Sequence, residues 1–145
     1  MNKNFCEIKM AAKAENVALS RIILTNFLSE KNLLLSELDE IKVAVSEAVS
    51  NAIIHGYEND ESRTVMLRFD ISGDFLQVQV QDWGCGIDDI EKAMAPEYSR
   101  LAERMGLGFC FMQNFMDSVE VKSEAGKGTT VSMSKHLLGK SKEEI

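Results

Sequence analysis

Glu47 and Asn51 stand four residues apart in a run of helix formers, so they share one helix face, with His55 a turn further on. The pair reads either as a solvated polar stripe or as a carboxylate and an amide oxygen turned toward a ligand. A hard cation such as Mg²⁺, which prefers oxygen donors and keeps its waters, is one such ligand. Asp82 opens the run Asp82-Trp83-Gly84-Cys85-Gly86 and has the strand parity of Leu76, Val78 and Val80, so it points to the side those residues bury. A carboxylate there is costly unless something donates to it. Asp82 is thus either a turn-capping aspartate or the acceptor for an amine-bearing ring such as adenine. Thr129, after Gly126-Lys127-Gly128, shares the parity of Val131 and Met133 and sends its hydroxyl to the same face. Arg104-Met105-Gly106-Leu107-Gly108 is expected at a helix start, where backbone N–H groups and the helix dipole favour phosphate and glycines admit close approach. Plain turn chemistry, with Arg100 and Arg104 solvated beside Glu103, is the alternative.

The elements that must hold these residues follow from periodicity. A first strand is expected over 5–11. A helix from Lys13 to about Glu30 carries two apolar arcs, Leu19, Ile23 and Phe27 on one and Val17, Leu24 and Leu28 on the other. One arc suits the core; the other suits either a partner or a deep burial of the whole helix. A second helix opens with Ser36 as N-cap and acids in its first turn, runs to Ile54 or His55, and ends at Gly56. Ile41, Val45, Ala48, Ala52 and Ile53 supply its packing. Two alternating strands meet at the Ser72-Gly73-Asp74 turn. A short helix over 88–94, a loop over 95–105 with the only proline, and a helix from Gly106 to about Met116 follow. Strands over 117–123 and 128–137 complete the chain. This order predicts an α+β two-layer sandwich, a mostly antiparallel sheet with helices on one face. It fills one domain over 1–138, with a charged tail over 139–145.

The 145 residues are 45% hydrophobic and 27% charged with a net charge of −7. That is a compact-domain composition, and its sign disfavours nucleic acid as a direct ligand. No stretch reaches the roughly 18 apolar residues of a membrane span, and the first residues lack a signal-peptide core. A cytoplasmic, membrane-free protein is expected. Three cysteines without a Cys-x-x-Cys pair, and two histidines, point to reduced thiols rather than a disulfide frame or zinc site. Cys85 is either a small turn residue or an oxidation-sensitive thiol.

Glu47-x-x-x-Asn51, Asp82-x-Gly84-x-Gly86, Gly106-x-Gly108 and Gly128-Thr129 resemble, in order, the ATP-binding boxes of the GHKL superfamily of gyrase, Hsp90, histidine kinases and MutL. Within it, segments 46–57 and 108–117 look like the anti-sigma F serine kinases of spore formers, over nearly the whole chain. The resemblance implies that Asn51 holds Mg²⁺ against ATP phosphates and that Glu47 is the general base for an attacking serine hydroxyl. It implies that Asp82, helped by Thr129, recognises the adenine amine beside Gly84 and Gly86. Residues 88–105 would form an ATP lid, with Arg104 near the γ-phosphate and the amides of Gly106, Leu107 and Gly108 around the phosphates. Arg21 matches a position that contacts partners. The implied protein is a homodimer that holds sigma factor F when ATP is present and phosphorylates a small SpoIIAA-like antagonist, leaving ADP.

Four other readings share parts of this pattern. A sensor histidine kinase needs a phospho-accepting histidine upstream, and 13–30 has none. A clamp ATPase needs long following domains. A switch kinase of the general stress sigma factor differs only in its partners. An ATP-gated module that sequesters a sigma factor without phosphoryl transfer would keep every box.

Overall fold

The computed structural model describes residues 2–94 and 100–139, with 100–104 described as backbone alone. Strands β1 (Lys3–Ala11), β2 (Thr64–Ser72), β3 (Phe75–Asp82), β4 (Ser118–Glu124) and β5 (Gly128–His136) form one antiparallel sheet in the order β1-β2-β3-β5-β4. Helices α1 (Glu15–Phe27), α2 (Leu35–Asn51), α3 (Ile90–Met94) and α4 (Arg100–Phe115) complete it. The α+β class and the antiparallel sheet are as the periodicity implies. No helix among the described residues is long and apolar enough to cross a membrane.

Strand alternation builds the core. The register aligns Phe69, Val78, Met133 and Val119 in one row across the sheet and Leu67, Val80, Val131 and Val121 in the next. These rows pack against Leu24 of α1 and Leu28 just after it, Ile41, Val45, Ala48 and Val49 of α2, and Phe109 and Met112 of α4. Each fully buried aliphatic side chain contributes about 1.5–3 kcal/mol. The opposite face carries Arg68, Asp70, Gln77 and Gln79, with Arg68 paired to Glu7 and Asp70. Of the two expected arcs, Leu24 and Leu28 are buried while Leu19 is exposed; the most exposed large hydrophobic residue of α1 is Ile22.

Two helix starts differ from expectation. Ser36 is not the N-cap of α2: Leu34 is extended in that position and makes no side-chain cap bond. The first turn instead uses Glu37, buried, whose carboxylate accepts the Leu138 N–H at 2.8 Å and the Gly139 N–H at 3.2 Å. It thereby straps the end of β5 to α2. Glu37→Ala leaves two N–H groups without that acceptor and is expected to lower stability by about 1–3 kcal/mol in urea unfolding. An unchanged midpoint would mean that the strap carries no stability. Residues 140–145 of the expected tail lie outside the described residues.

The second difference concerns α4. It begins at Arg100, so Gly106, Leu107 and Gly108 lie inside it and not at its N-terminus. Two interior glycines cost about 1 kcal/mol each relative to alanine. The strong formers around them and the buried Phe109, Met112 and Met116 outweigh that cost. Residues 95–99 of the expected proline loop lie outside the described residues.

Candidate functional site

The sheet register places the polar residues as deliberately as the apolar ones. One row beyond Leu67, Val80, Val131 and Val121, Asp82 pairs with Thr129, and Thr129 with Ser123. All three side chains therefore face the helix layer, at the edge of the core. Asp82 is only 4% exposed. Its carboxylate accepts the Gly84 N–H at 2.9 Å, and the Thr129 N–H also points to it. Burial pushes its pKa above the ordinary 3.8, opposed by those two N–H groups and by the positive charge of Arg63. The Thr129 and Ser123 hydroxyls lie 2.8 Å apart.

Helix α2 supplies the facing wall. After Asn51 it widens into a π-helical turn, Ala52–Gly56, a distortion frequent at functional sites. Ile41, Val45, Ala48, Ala52 and Ile53 are buried, as the periodicity implies, and fix which way Glu47 and Asn51 point. The turn brings Gly56 against Asp82: a Cβ added there would stand 2.7 Å from the carboxyl carbon. Asn51, His55, Gly56, Asp82, Gly86 and Thr129 line one pocket, closed from the α4 side by Met105 and Phe109. The enclosed space is about 20 Å³, close to one water.

One atom in this pocket has no internal role. The Asn51 Nδ2 is buried and lacks a hydrogen-bond partner, the one such side-chain atom among the described residues. An unsatisfied buried amide costs about 1–3 kcal/mol, so its persistence points to a ligand. Glu47 and Asn51 meet α4 at Gly108, where a Cβ would lie 2.9 Å from Glu47 Oε2 and 3.3 Å from Asn51 Nδ2. Gly108 thus lets the two helices close around these polar groups.

The loop from Asp82 to Ile87 is held at nearly every N–H. Trp83 donates to the Tyr57 hydroxyl at 2.8 Å, Cys85 to the Gly56 carbonyl at 2.9 Å, and Ile87 to Ser123 Oγ at 2.7 Å. Gly84 packs so closely on Gly56 that a Cβ would overlap its carbonyl, and Gly128, at φ +120°, leaves the same kind of space for Asp82. Cys85 donates from Sγ to the His55 carbonyl at 3.1 Å. Burial, then the charge of Glu58, raises its thiol pKa, which suits a turn residue rather than a reactive thiolate.

Asn51, Asp82, Gly86 and Thr129 thus come together in one pocket, with Gly84 beneath it and Glu47 and Gly108 at its rim. Gly106 is buried in α4, whereas the Leu107 side chain is half-exposed. In this conformation the amides of Gly106, Leu107 and Gly108 sit inside a helix, so the expected helix-start phosphate cradle is not formed. The Arg104 side chain lies outside the described residues. Arg21 is not a free surface arginine, since it donates to Ser46 Oγ at 3.0 Å, one residue before Glu47. The sequence reading missed Ser123, Gly56 and Tyr57. The parity of Ser123 with Val119 and Val121 was the available signal for the first; the others depend on contacts distant in sequence.

The groups lining the pocket, rather than its present volume, match a purine nucleotide: a buried acceptor for a base amine, a glycine-walled approach, and an unsatisfied amide further along. Among the described residues no group of three or more His, Cys, Asp or Glu is arranged for a metal ion. The Asn51 amide oxygen is a donor of the kind that could hold a hard cation together with ligand oxygens. Residues 10–135 match the histidine kinase-like ATPase domain, and the chain belongs to that family. It is 47% identical over 137 residues to the anti-sigma F factor of Clostridium acetobutylicum, covering 93% of this chain and 95% of that protein. Over 136 residues it is 43% identical to the anti-sigma F factor of Clostridium perfringens, covering 92% and 97%. The fold also matches the crystal structure of the RsbU and RsbW domains of a Mycobacterium tuberculosis protein, with a TM-score of 0.64 at 22% identity. That match spans 92% of this chain and 32% of the other.

Proposed function

We propose that this chain is an ATP-dependent anti-sigma factor that is also a protein serine kinase. With ATP bound it holds the sporulation sigma factor F, and it phosphorylates and inactivates a SpoIIAA-like antagonist. It acts as a cytoplasmic homodimer. The observation that carries the nucleotide reading is the unpartnered Asn51 amide in the pocket of Asp82. The choice of partners draws support from the names of relatives at 43–47% identity.

ATP supplies the phosphoryl group and Mg²⁺ neutralises part of its charge when bound. Asp82 would accept the adenine 6-amino hydrogen, with Thr129 beside it. The amide oxygen of Asn51 would hold the cation. Glu47, at the rim, would take the proton of the acceptor serine hydroxyl as its oxygen attacks phosphorus. Phosphoryl transfer asks mostly for such positioning. The roughly 20 Å³ space under Met105 and Phe109 cannot hold a nucleotide. In this reading the first turns of α4 unwind near Gly106 on binding, which frees the amides of 106–108 for phosphate and lets Arg104 approach the γ-phosphate. Arg21, tied to Ser46 next to Glu47, would link the partner surface to the base.

The test mixes the chain, Mg-ATP and the antagonist and reads the antagonist's mass. One added phosphate on a serine, absent with Glu47→Ala, is the expected result. No added phosphate, with thermal stabilisation by ATP retained, would leave a nucleotide-gated sequestering protein.

Gly108→Ala separates stability from chemistry. The substitution adds about 1 kcal/mol of helix propensity but places a methyl 2.9 Å from Glu47 Oε2. Its melting temperature is expected to hold or rise while transfer falls by about tenfold, the scale of a misplaced catalytic group. Unchanged transfer would show that Glu47 does not need the space over Gly108.

A further inference from the structure

The register of β2 and β3 pairs Met66 with Gln81 and, continued by two residues, would set Thr64 opposite Trp83. That rung is not made directly. The Tyr57 hydroxyl stands between the two strands, accepting the Trp83 N–H at 2.8 Å and donating to the Thr64 carbonyl at 2.5 Å. A side-chain hydroxyl has replaced a ladder hydrogen bond at the point where the chain leaves the sheet. Arg63 secures the same peptide from outside, donating from Nη2 to the Trp83 carbonyl at 2.6 Å with its guanidinium 4.8 Å from the centre of the Tyr57 ring. Tyr57 is 5% exposed, and its hydroxyl bonds backbone groups on both sides.

We propose that Tyr57 is a positioning residue for base recognition: its hydroxyl holds β2 and β3 one rung open just after Asp82, and so fixes the strand end from which the carboxylate reaches over Gly56. The proposal rests on the reading of Asp82 as the acceptor of the adenine amine. Without the hydroxyl, Thr64 and Trp83 either pair directly or stay unpaired, and both outcomes change the backbone immediately after Asp82, which then rests on its pairing with Thr129 alone. The ring and its packing are untouched by Tyr57→Phe, so the loss is confined to that one bridging group.

The experiment compares ATP with purine riboside triphosphate, which lacks the 6-amino group, on wild type, Tyr57→Phe and Arg63→Lys. Trp83 is the only tryptophan and is exposed, so its emission reports both binding and the conformation of this loop. Tyr57→Phe is expected to bind ATP about tenfold more weakly, the loss of roughly one hydrogen bond to a charged group. Affinity for the purine riboside nucleotide should change less than about twofold on the same reasoning. Arg63→Lys, which keeps the positive charge near Asp82 but loses the guanidinium grip on the Trp83 carbonyl, should shift the ratio in the same direction by less, and it tests the proposal should Tyr57→Phe not fold. Equal weakening of both nucleotides, or an unchanged ratio, overturns the role of Tyr57. If the wild type itself fails to prefer ATP, the reading of Asp82 falls first and this proposal with it.

Discussion

Glu47→Gln is expected to slow phosphoryl transfer to the antagonist by about 10²–10⁴-fold, the usual worth of a positioned general base. Nucleotide affinity should stay within about twofold, because Gln keeps the shape and hydrogen-bonding reach of Glu and loses only the capacity to accept the proton. The geometry makes this a clean comparison. Glu47 lies on α2 between buried Ala44, Val45, Ala48 and Val49, so the backbone beneath it is fixed whatever the side chain. The pocket that would hold the base is lined by Asn51 and Asp82 but not by Glu47, so binding and chemistry are spatially separable. Single-turnover transfer to the antagonist and thermal stabilisation by ATP measure the two. Full transfer by the Gln variant would remove Glu47 as the base. Loss of both activities together would make it a structural residue.

Much of this arrangement was legible because strand parity and helix spacing are local rules. Asp82 and Thr129 could be placed on the buried face from their apolar neighbours alone, and the register confirms that they are direct partners. Glu47 and Asn51 share a face for the same reason. The start of α4 was not legible, since it depends on a competition. Glycines at 106 and 108 favour a break, but Phe109, Met112 and Met116 bury one continuous helical face, and burial wins. Nor could Leu34 be told from Ser36 as the N-cap of α2, since Leu34 makes no side-chain cap bond. Tyr57 was out of reach altogether. Its hydroxyl acts on a residue 26 positions away, through a rung that exists only once two strands have paired.

Asp82→Asn should separate affinity from stability in the opposite sense to an ordinary core substitution. ATP affinity is expected to fall by about 10²-fold or more, since the amide cannot accept at both positions and its own NH₂ would face the base amine, donor against donor. Stability should not fall with it. The folded-state pKa of Asp82 is raised by burial, so its contribution is fully present below the ordinary value of 3.8 and is lost as pH rises through the higher folded value. Above its folded pKa the wild type therefore carries an ionised carboxylate that the fold disfavours, partly compensated by the N–H groups of Gly84 and Thr129. The Asn variant carries none. Its advantage in urea unfolding should be small near pH 4, grow as pH rises, and level off once Asp82 is fully ionised. Such a curve, measured without nucleotide and set beside the lost ATP affinity, would show a carboxylate kept for its ligand at the expense of the fold. A variant that instead melts far below wild type at pH 7 would make Asp82 a structural cap for the Gly84 turn, and the base-recognition role would have to be sought elsewhere in the row it shares with Thr129 and Ser123.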